Sequence, residues 1–277
     1  MHPGRLPLAG LLLLVLALGA PRVSGEPLRV VSLNPSLTQT LIALGAESTL
    51  VGVDDYSARL EPRVRDLPRV GGLFNPSLEA IVGLAPTFVA LVPSAQQRGL
   101  RERLEALEIE VLPLANHSHD EVLRSIERLG ARVGRGNAAR ARVEAIRAAW
   151  SAAEARAAAR PRVSAVLVLQ RDPLYVVGGG SYLDAMLRAA GADNAAAGFE
   201  EAYPRVSVEW LIAAAPELIL DAANPPDGAR AHWSRWPSLP AVAAGRVRVL
   251  DEQVTLPGPY LDRALARIET HVRGAQP

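Results

Sequence analysis

The sequence predicts an α/β protein of two lobes, each with a parallel-type sheet, joined by one long backbone helix and enclosing a ligand cleft. Short apolar runs rich in β-branched residues alternate with helical segments, which is typical of parallel sheets covered by helices. The alternation pauses in an Ala-rich segment and restarts after Pro161. A segment of the first half also recurs, in degenerate form, in the second. We therefore divide the chain into a leader (1–25), an N-terminal lobe (26–115), connecting helices (116–160) and a C-terminal lobe (161–277).

Four buried strands are expected in the N-terminal lobe, because four short runs are apolar and rich in Val, Ile or Leu. Three serines are expected to mark helix starts, since a serine hydroxyl can accept a hydrogen bond from the free backbone there. The strands are Arg29–Leu33, Leu50–Val53, Thr87–Val92 and Ile109–Leu112, and the helices begin near Ser36, Ser77 and Ser94.

Two helices are expected to connect the lobes. Ser118 and Glu121 have the spacing of a capping box, which predicts a helix running to about Val133. Asn137 is predicted to cap a second helix over 138–160, which ends because proline follows. Its 23 residues, at about 1.5 Å each, form a rod of roughly 35 Å. One apolar stripe along it comprises Ile146, Ala149, Trp150 and Ala153.

The C-terminal lobe repeats the alternation of strand and helix. The expected strands are Arg162–Leu169, Glu217–Leu220 and Arg246–Leu250, and the expected helices are Ser181–Ala190, Val208–Ala214 and Leu261–Val272. Such alternation again indicates a mainly parallel sheet.

An internal repeat supports two related lobes. Residues 75–86 and 205–216 match at a constant offset of 130, with Ser, Glu, Ala and Pro coinciding. Each copy predicts a short helix capped by its serine, ended by its proline and followed by an apolar strand. A weaker pair, 37–46 and 183–192, has an offset of 146. Duplicated lobes suit a ligand held between them, because concave sites form at domain interfaces.

Two absences exclude whole chemistries. The chain has no cysteine and no lysine, so all 30 basic side chains are arginine. Thiol nucleophiles, thiolate-bound metals, disulfides, Schiff bases and P-loop lysines are thereby excluded. The 29 acidic residues leave a net charge of +1, which does not indicate a nucleic-acid partner.

The first 25 residues have the pattern of a secretory signal peptide. Arg5 supplies the positive start, Leu6–Ala20 is apolar, and small residues precede cleavage after Ala20 or Gly25. The apolar run is too short for a membrane span, and a lipid anchor needs a cysteine after the signal. We therefore expect a cleaved, unanchored protein of the periplasm.

Five segments, in this order and spacing, carry a resemblance to a known family: Arg29–Thr38, Val51–Tyr56, Gly71–Glu79, Tyr203–Glu209 and Pro257–Pro259. From about Arg29 onward the chain resembles the periplasmic substrate-binding proteins for cobalamin and ferric siderophores that serve ABC importers. The lobes of that class are joined by a single backbone helix. The resemblance implies ligand capture without catalysis or cofactor, and delivery to the membrane subunits of an ABC permease. A monomer is expected.

The family also implies a docking role for one exposed glutamate in each repeated Ser-x-Glu segment, which meets arginines of the permease. Glu79 and Glu209 match those positions. Each follows a capping serine by two residues, and the dipole of a helix start favours an ionised carboxylate.

Within the class, the cobalamin-binding branch is the nearest. Tyr56 follows Val-Gly-Val, and Tyr203 precedes Pro-x-Val-Ser, as the cleft aromatics of that branch do. Phe74 and Tyr175 also fall in expected loops, and four such rings suit the wall of a broad macrocycle. A corrinoid, cobalamin or cobinamide, is therefore the expected ligand.

Several departures from that branch keep a ferric siderophore or heme open as the alternative ligand. The branch can carry an acidic residue followed four positions later by an arginine, whereas this chain has Glu252 and Leu256. Two tryptophan positions at the N-terminal cleft edge are here Leu73 and Leu91. Glu252 and Leu256 complete the candidate ligand-binding residues.

Other motifs have simpler explanations than chemistry. His117 and His119 resemble a metal pair, but a tetrahedral site needs about four ligands and the histidines sit at a helix start. No metal site is therefore expected. Gly178–Gly180 is expected to form a tight turn at the cleft, although free amides there could also bind an anion. The chain also lacks the G-x-S-x-G motif that a secreted hydrolase would need.

Overall fold

The computed structural model describes residues 27–95 and 97–276, so the predicted leader lies outside the described residues. The predicted fold class is confirmed, because helices cover two separate, mainly parallel sheets. Within the described ranges, no helix combines the length and apolar character that crossing a bilayer requires.

The N-terminal lobe contains a four-stranded, fully parallel sheet in the order β2-β1-β5-β6. A two-stranded antiparallel hairpin, β3-β4, lies outside it. The elements are β1 (Val30–Ser32), α1 (Pro35–Ala43), β2 (Leu50–Val53), α2 (Asp55–Leu60), β3 (Gly71–Gly72), β4 (Asn75–Pro76), α3 (Leu78–Gly83), β5 (Phe88–Leu91), α4 (Arg98–Ala106) and β6 (Glu110–Pro113).

Helices α5 (His119–Arg132) and α6 (Gly136–Ala158) lead to the C-terminal lobe, whose sheet has five strands. Three of its pairings are parallel, while β7 and β8 form an antiparallel hairpin. The elements are β7 (Val163–Arg171), β8 (Leu174–Val176), α7 (Tyr182–Ala189), β9 (Ala192–Asn194), α8 (Val208–Ala214), β10 (Leu218–Asp221), α9 (Ala229–Trp233), α10 (Pro240–Ala243), β11 (Val247–Val249) and α11 (Leu261–Arg273).

The connecting helices form one packed unit with the C-terminal lobe. The predicted capping box of α5 is present, with the Ser118 and Glu121 side chains each bonded to the other's backbone. Two ion pairs tie α6 to α11: Arg142 with Asp262 and Arg156 with Glu269. One apolar core runs from α5 through α6 into the C-terminal lobe. All four tryptophans lie on α6 or in that lobe.

Two local predictions about helices are wrong. Asn137 does not cap α6, because the helix begins at Gly136 and the Asn137 side chain instead accepts a hydrogen bond from Arg140. The helix expected near Ser94 begins at Arg98, since the Ser94 hydroxyl accepts the backbone N–H of Gln97 in a preceding turn.

The internal repeat is visible in the backbone of both lobes. The hydroxyls of Ser77 and Ser207 cap α3 and α8, accepting N–H groups at 3.2 and 3.1 Å. Each helix is followed by an alanine with a positive φ, 43° at Ala85 and 44° at Ala215, and then by a proline. Left-handed alanine is uncommon, so its recurrence at the same offset of 130 indicates equivalent turns.

Candidate functional site

The first part of the site lies where β2 ends and α2 begins. Asp54 caps α2 by accepting the backbone N–H groups of Tyr56 and Ser57 at 3.0 and 2.9 Å. This cap orients the first turns of α2, which carry Tyr56 and, three residues later, Arg59. Because β2 belongs to a parallel sheet, both side chains project from its carboxyl edge, where α/β sheets bind ligands.

A buried polar network supports that helix start. The Ser57 hydroxyl donates to the Asp54 carboxylate and also bonds the Thr38 hydroxyl, which bonds Ser32 at 2.8 Å. Burial raises the pKa of Asp54, and the hydrogen bonds from Ser57 and Tyr56 oppose the rise. With its acceptor atoms occupied in this way, Asp54 holds α2 in one orientation.

Glu252 joins the two lobes. It follows β11 in a short 3₁₀ turn, Glu252–Thr255, which Asp251 caps. Its carboxylate accepts hydrogen bonds from two Arg59 nitrogens at 3.0 and 3.1 Å and from the Tyr56 hydroxyl at 3.1 Å. The Asn224 amide nitrogen donates a further bond at 2.9 Å. The carboxyl edges of the two sheets therefore face each other and are bridged at this point.

The contacts within the bridge shift the pKa values of Glu252 and Tyr56. Hydrogen bonds from Arg59 lower the pKa of Glu252 despite partial burial. Burial, and then the negative charge of Glu252, raises the pKa of Tyr56. The Arg59 guanidinium also lies 4.4 Å from the centre of the Tyr56 ring, within the range of a cation–π contact. At neutral pH the cluster thus consists of one cation, one anion and a neutral phenol.

A buried ion pair holds the loop that carries Asn224. Arg171 at the end of β7 pairs with Asp221 at 2.8 Å and donates to the carbonyls of Ala223 and Pro225. The Trp233 indole donates to the same Asp221 carboxylate at 2.6 Å. Arg171 therefore fixes the backbone on both sides of Asn224.

Phe74 lies at the tip of the β3-β4 hairpin and is 69% exposed. The hairpin turn is anchored where the Gln97 amide donates to the carbonyl of Leu73 at 2.7 Å. A cavity of about 310 Å³ opens beside it, with Leu91 and Gln97 in its wall. Leu91, at one of the two expected tryptophan positions, therefore borders an open cavity.

The two predicted ligand-binding tyrosines of the C-terminal lobe, Tyr175 and Tyr203, lie on neighbouring segments of the chain. Tyr175 in β8 pairs through its backbone with Arg205, and Tyr203 is 42% exposed just before it. The Tyr203 hydroxyl is turned inward beside that of Tyr182, and burial raises the pKa of Tyr203 to about 12. The Tyr182 hydroxyl in turn donates to the carbonyl of Thr255. Tyr203 thereby offers a ring face with its polar end secured in the protein.

The structure brings together only part of the predicted set. Tyr56 and Glu252 are in direct contact across the lobes. Leu256 is half-buried one residue after the turn that carries Glu252. Over residues 27–95 and 97–276, no side-chain hydrogen bond or ring contact links Phe74 or Tyr175 to this bridge, so their ligand role stays a prediction.

Two members of the bridge were missed by sequence reasoning. The family pattern can place an arginine four residues after the acidic residue, where this chain has Leu256. The cation comes from the other lobe as Arg59, and Asn224 completes the set. The available signal was the position of Arg59 one helical turn after Tyr56, on a helix with a clear aspartate cap.

The histidine and glycine motifs have structural roles. His119 stacks on Trp150 with ring centres 4.0 Å apart, and burial lowers its pKa. Among the described residues, no three His, Asp or Glu side chains are grouped as metal ligands. Gly178 and Gly179 lie against the backbone of Glu201 and Ala197, where a Cβ would come within 2.1 and 2.4 Å of carbonyl oxygens. The glycine run is therefore a close-packed turn.

Comparison with known proteins agrees with this architecture. The family model described as periplasmic binding protein matches residues 30–254. A cobalamin-binding protein of Halobacterium salinarum is 32% identical over 212 residues, covering 73% of this chain but only 56% of that protein. A vitamin B12-binding protein of Vibrio campbellii is 26% identical over 233 residues, 81% of each.

Among solved structures, the fold is similar to that of the periplasmic heme-binding protein RhuT from Roseiflexus sp. RS-1 in its apo form. The TM-score is 0.81, with 26% identity, over 90% of this chain and 99% of RhuT. The fold and the family match agree: the chain belongs to the periplasmic binding protein family.

Proposed function

We propose that this protein captures a corrinoid, cobalamin or cobinamide, in the periplasm and delivers it to an ABC permease. The observation that carries the proposal is the meeting of Tyr56, Arg59, Glu252 and Asn224 between the carboxyl edges of the two sheets. Exposed rings of Phe74 and Tyr203 provide apolar surface on each lobe. Cobalamin-binding relatives at up to 32% identity support the same ligand class.

Heme is the second candidate, favoured by the similarity to RhuT. Ligation of heme iron by a tyrosine requires its phenolate. The Tyr56 hydroxyl instead donates a hydrogen bond to Glu252 and stays protonated, because both burial and that negative charge raise the pKa of Tyr56. The chemistry of this side chain therefore favours a ligand whose metal needs no tyrosine from the protein.

Titration of the purified protein with cyanocobalamin, dicyanocobinamide and hemin tests the ligand. A corrinoid that binds the native state raises the melting temperature. Tyr56→Ala and Tyr203→Ala should each weaken corrinoid binding by about 1–3 kcal/mol, because each removes a ring face. Stabilisation by hemin alone would transfer the assignment to heme.

We further propose that Glu79 and Glu209 dock the protein onto the two membrane subunits. Both side chains are exposed, each in the first turn of a repeated helix, α3 or α8. A backbone N–H and the Ser207 hydroxyl lower the pKa of Glu209. Two equivalent carboxylates, one per lobe, match two permease subunits that each offer arginine, and such charges chiefly set orientation and association rate.

The remaining expectations belong to the same proposal. The family's role is transport, and we propose that the protein carries no catalytic activity of its own. Export by a signal peptide cleaved between Ala20 and Gly25 would deliver it unanchored to the periplasm. There it would act as a monomer.

A further inference from the structure

We propose that the Arg59–Glu252 pair is a specificity determinant that selects ring ligands bearing carboxamides over those bearing carboxylates. The inference rests on the proposed function, because it requires a ring ligand to bind between the lobes. It goes further by assigning to two named side chains the choice between chemical classes of ligand.

The first step is charge balance. Both carboxylate oxygens of Glu252 accept from Arg59, through two terminal nitrogens at 3.0 and 3.1 Å. Tyr56 and Asn224 add two neutral donors to the same carboxylate. Of the ion pairs formed by described residues, only this one links the N-terminal lobe to the C-terminal lobe. The bridge formed by these four side chains is therefore polar but carries no net charge.

The second step is accessibility. The Arg59 side chain is 53% exposed and that of Glu252 is 21% exposed, although the two are paired. A ligand in the cleft can therefore approach the pair without breaking it. Arg59 has five N–H donors and uses two of them on Glu252, and the Oε1 atom of Glu252 accepts only one bond, from Arg59, so both groups retain capacity for one more partner.

The third step is complementarity to the ligand. A primary carboxamide both donates and accepts, so it can bond Glu252 and Arg59 together without adding charge. A carboxylate only accepts. It can accept from the remaining N–H groups of Arg59 but cannot donate to Glu252, and its own charge is repelled by the glutamate. Cobalamin and cobinamide carry carboxamides around the corrin ring, whereas heme carries two propionates.

The test measures dissociation constants for two corrins that differ only at the ends of the ring's acid side chains: dicyanocobyrinic acid, with carboxylates, and its heptaamide, with primary carboxamides. Wild type should favour the amide. Glu252→Gln frees Arg59 and should shift the preference toward the acid by about tenfold, the usual worth of a hydrogen bond to a charged group. Arg59→Gln leaves Glu252 uncompensated and should shift the preference the opposite way. The double variant should return near wild type.

Glu144→Gln and Arg147→Gln are matched controls, because both residues are exposed on α6 away from the cleft. Circular dichroism checks that each variant is folded, and the two single variants give independent readings. Shifts in the same direction for both single variants, or changes below about threefold in either, would overturn the inference.

The proposed function can fail separately. If wild type binds neither corrin but binds hemin, the ligand assignment is wrong, and hemin and its dimethyl ester become the matched pair. The charge inference then requires that wild type favour the ester and that Glu252→Gln favour the free acid. Equal preference in both proteins overturns it on that ligand as well.

Discussion

Replacing Asp221 with alanine should destabilise the C-terminal lobe far more than removing any surface carboxylate. Asp221 is fully buried and accepts hydrogen bonds from Arg171, from the Trp233 indole and from the backbone of Ala223. Its partner Arg171 has a side chain only 9% exposed. The substitution therefore leaves a buried guanidinium without its counter-charge.

The magnitude follows from this burial. Removing one member of a buried ion pair costs about 3–5 kcal/mol. Arg171 keeps its bonds to two backbone carbonyls, so we expect the lower end, about 3 kcal/mol of unfolding free energy. For a chain of this length that corresponds to a fall in melting temperature of about 6–12 °C. Removing Arg171 as well, in Arg171→Met with Asp221→Ala, should restore part of the loss because no charge remains buried.

Asp193→Ala is the matched control. Asp193 pairs with Arg162 in the same lobe, but the two side chains are 64% and 41% exposed. An exposed pair contributes at most about 1 kcal/mol. Urea and thermal unfolding of the purified variants measure both effects. A loss for Asp221→Ala no larger than that for Asp193→Ala would refute the role assigned to burial.

Four further predictions follow. The double variant Glu79→Ala, Glu209→Ala should keep its folding and ligand affinity but support less uptake in reconstituted vesicles. The control double variant Glu102→Ala, Glu144→Ala should support normal uptake, and full uptake by the first double variant would contradict the docking proposal. Gly178→Ala should cost about 1–3 kcal/mol, because its Cβ would meet the Glu201 carbonyl, while Gly198→Ala, which meets nothing, should be neutral in urea unfolding. In a spectrophotometric titration, Tyr203 should ionise near its pKa of about 12, so stability falls as pH rises from the unfolded tyrosine value of about 10 toward 12, and Tyr203→Phe should reduce the late tyrosine ionisation by one residue. Ligand binding should change the radius of gyration in solution scattering only slightly, because one continuous helix joins the lobes; a large decrease would show that α6 bends.

Much of the fold was predictable because its strongest signals are local. The boundaries of β2 and α8 match the expected ranges, and α5 begins at its predicted capping box. The hairpin β7-β8 was not predicted, because Leu174–Val176 is too short to show a period and its pairing depends on tertiary contact. The cap of α6 was misassigned because Asn137 satisfies the composition rule, yet its side chain finds a nearer partner in Arg140.

The site was predictable only in part, for a related reason. Tyr56 and Glu252 carry motif signals, and the structure places them in contact. Arg59 and Asn224 lie 193 and 28 residues from Glu252 along the chain, so no spacing rule relates them. The ion pair between Arg171 and Asp221 likewise spans 50 residues of the chain. Cross-lobe contacts depend on how the lobes face each other, which local patterns do not encode.

The placement of the tryptophans confines the intrinsic tryptophan fluorescence of the molecule to one side of it. Trp150 lies on α6, and Trp210, Trp233 and Trp236 lie in the C-terminal lobe, so the N-terminal lobe emits no indole fluorescence of its own. Ultraviolet-excited emission therefore reports on one lobe, and a coloured ligand would quench it by energy transfer from that side alone. A single tryptophan at the exposed tip of the β3-β4 hairpin, as in Phe74→Trp, would give the N-terminal lobe its own fluorescent reporter.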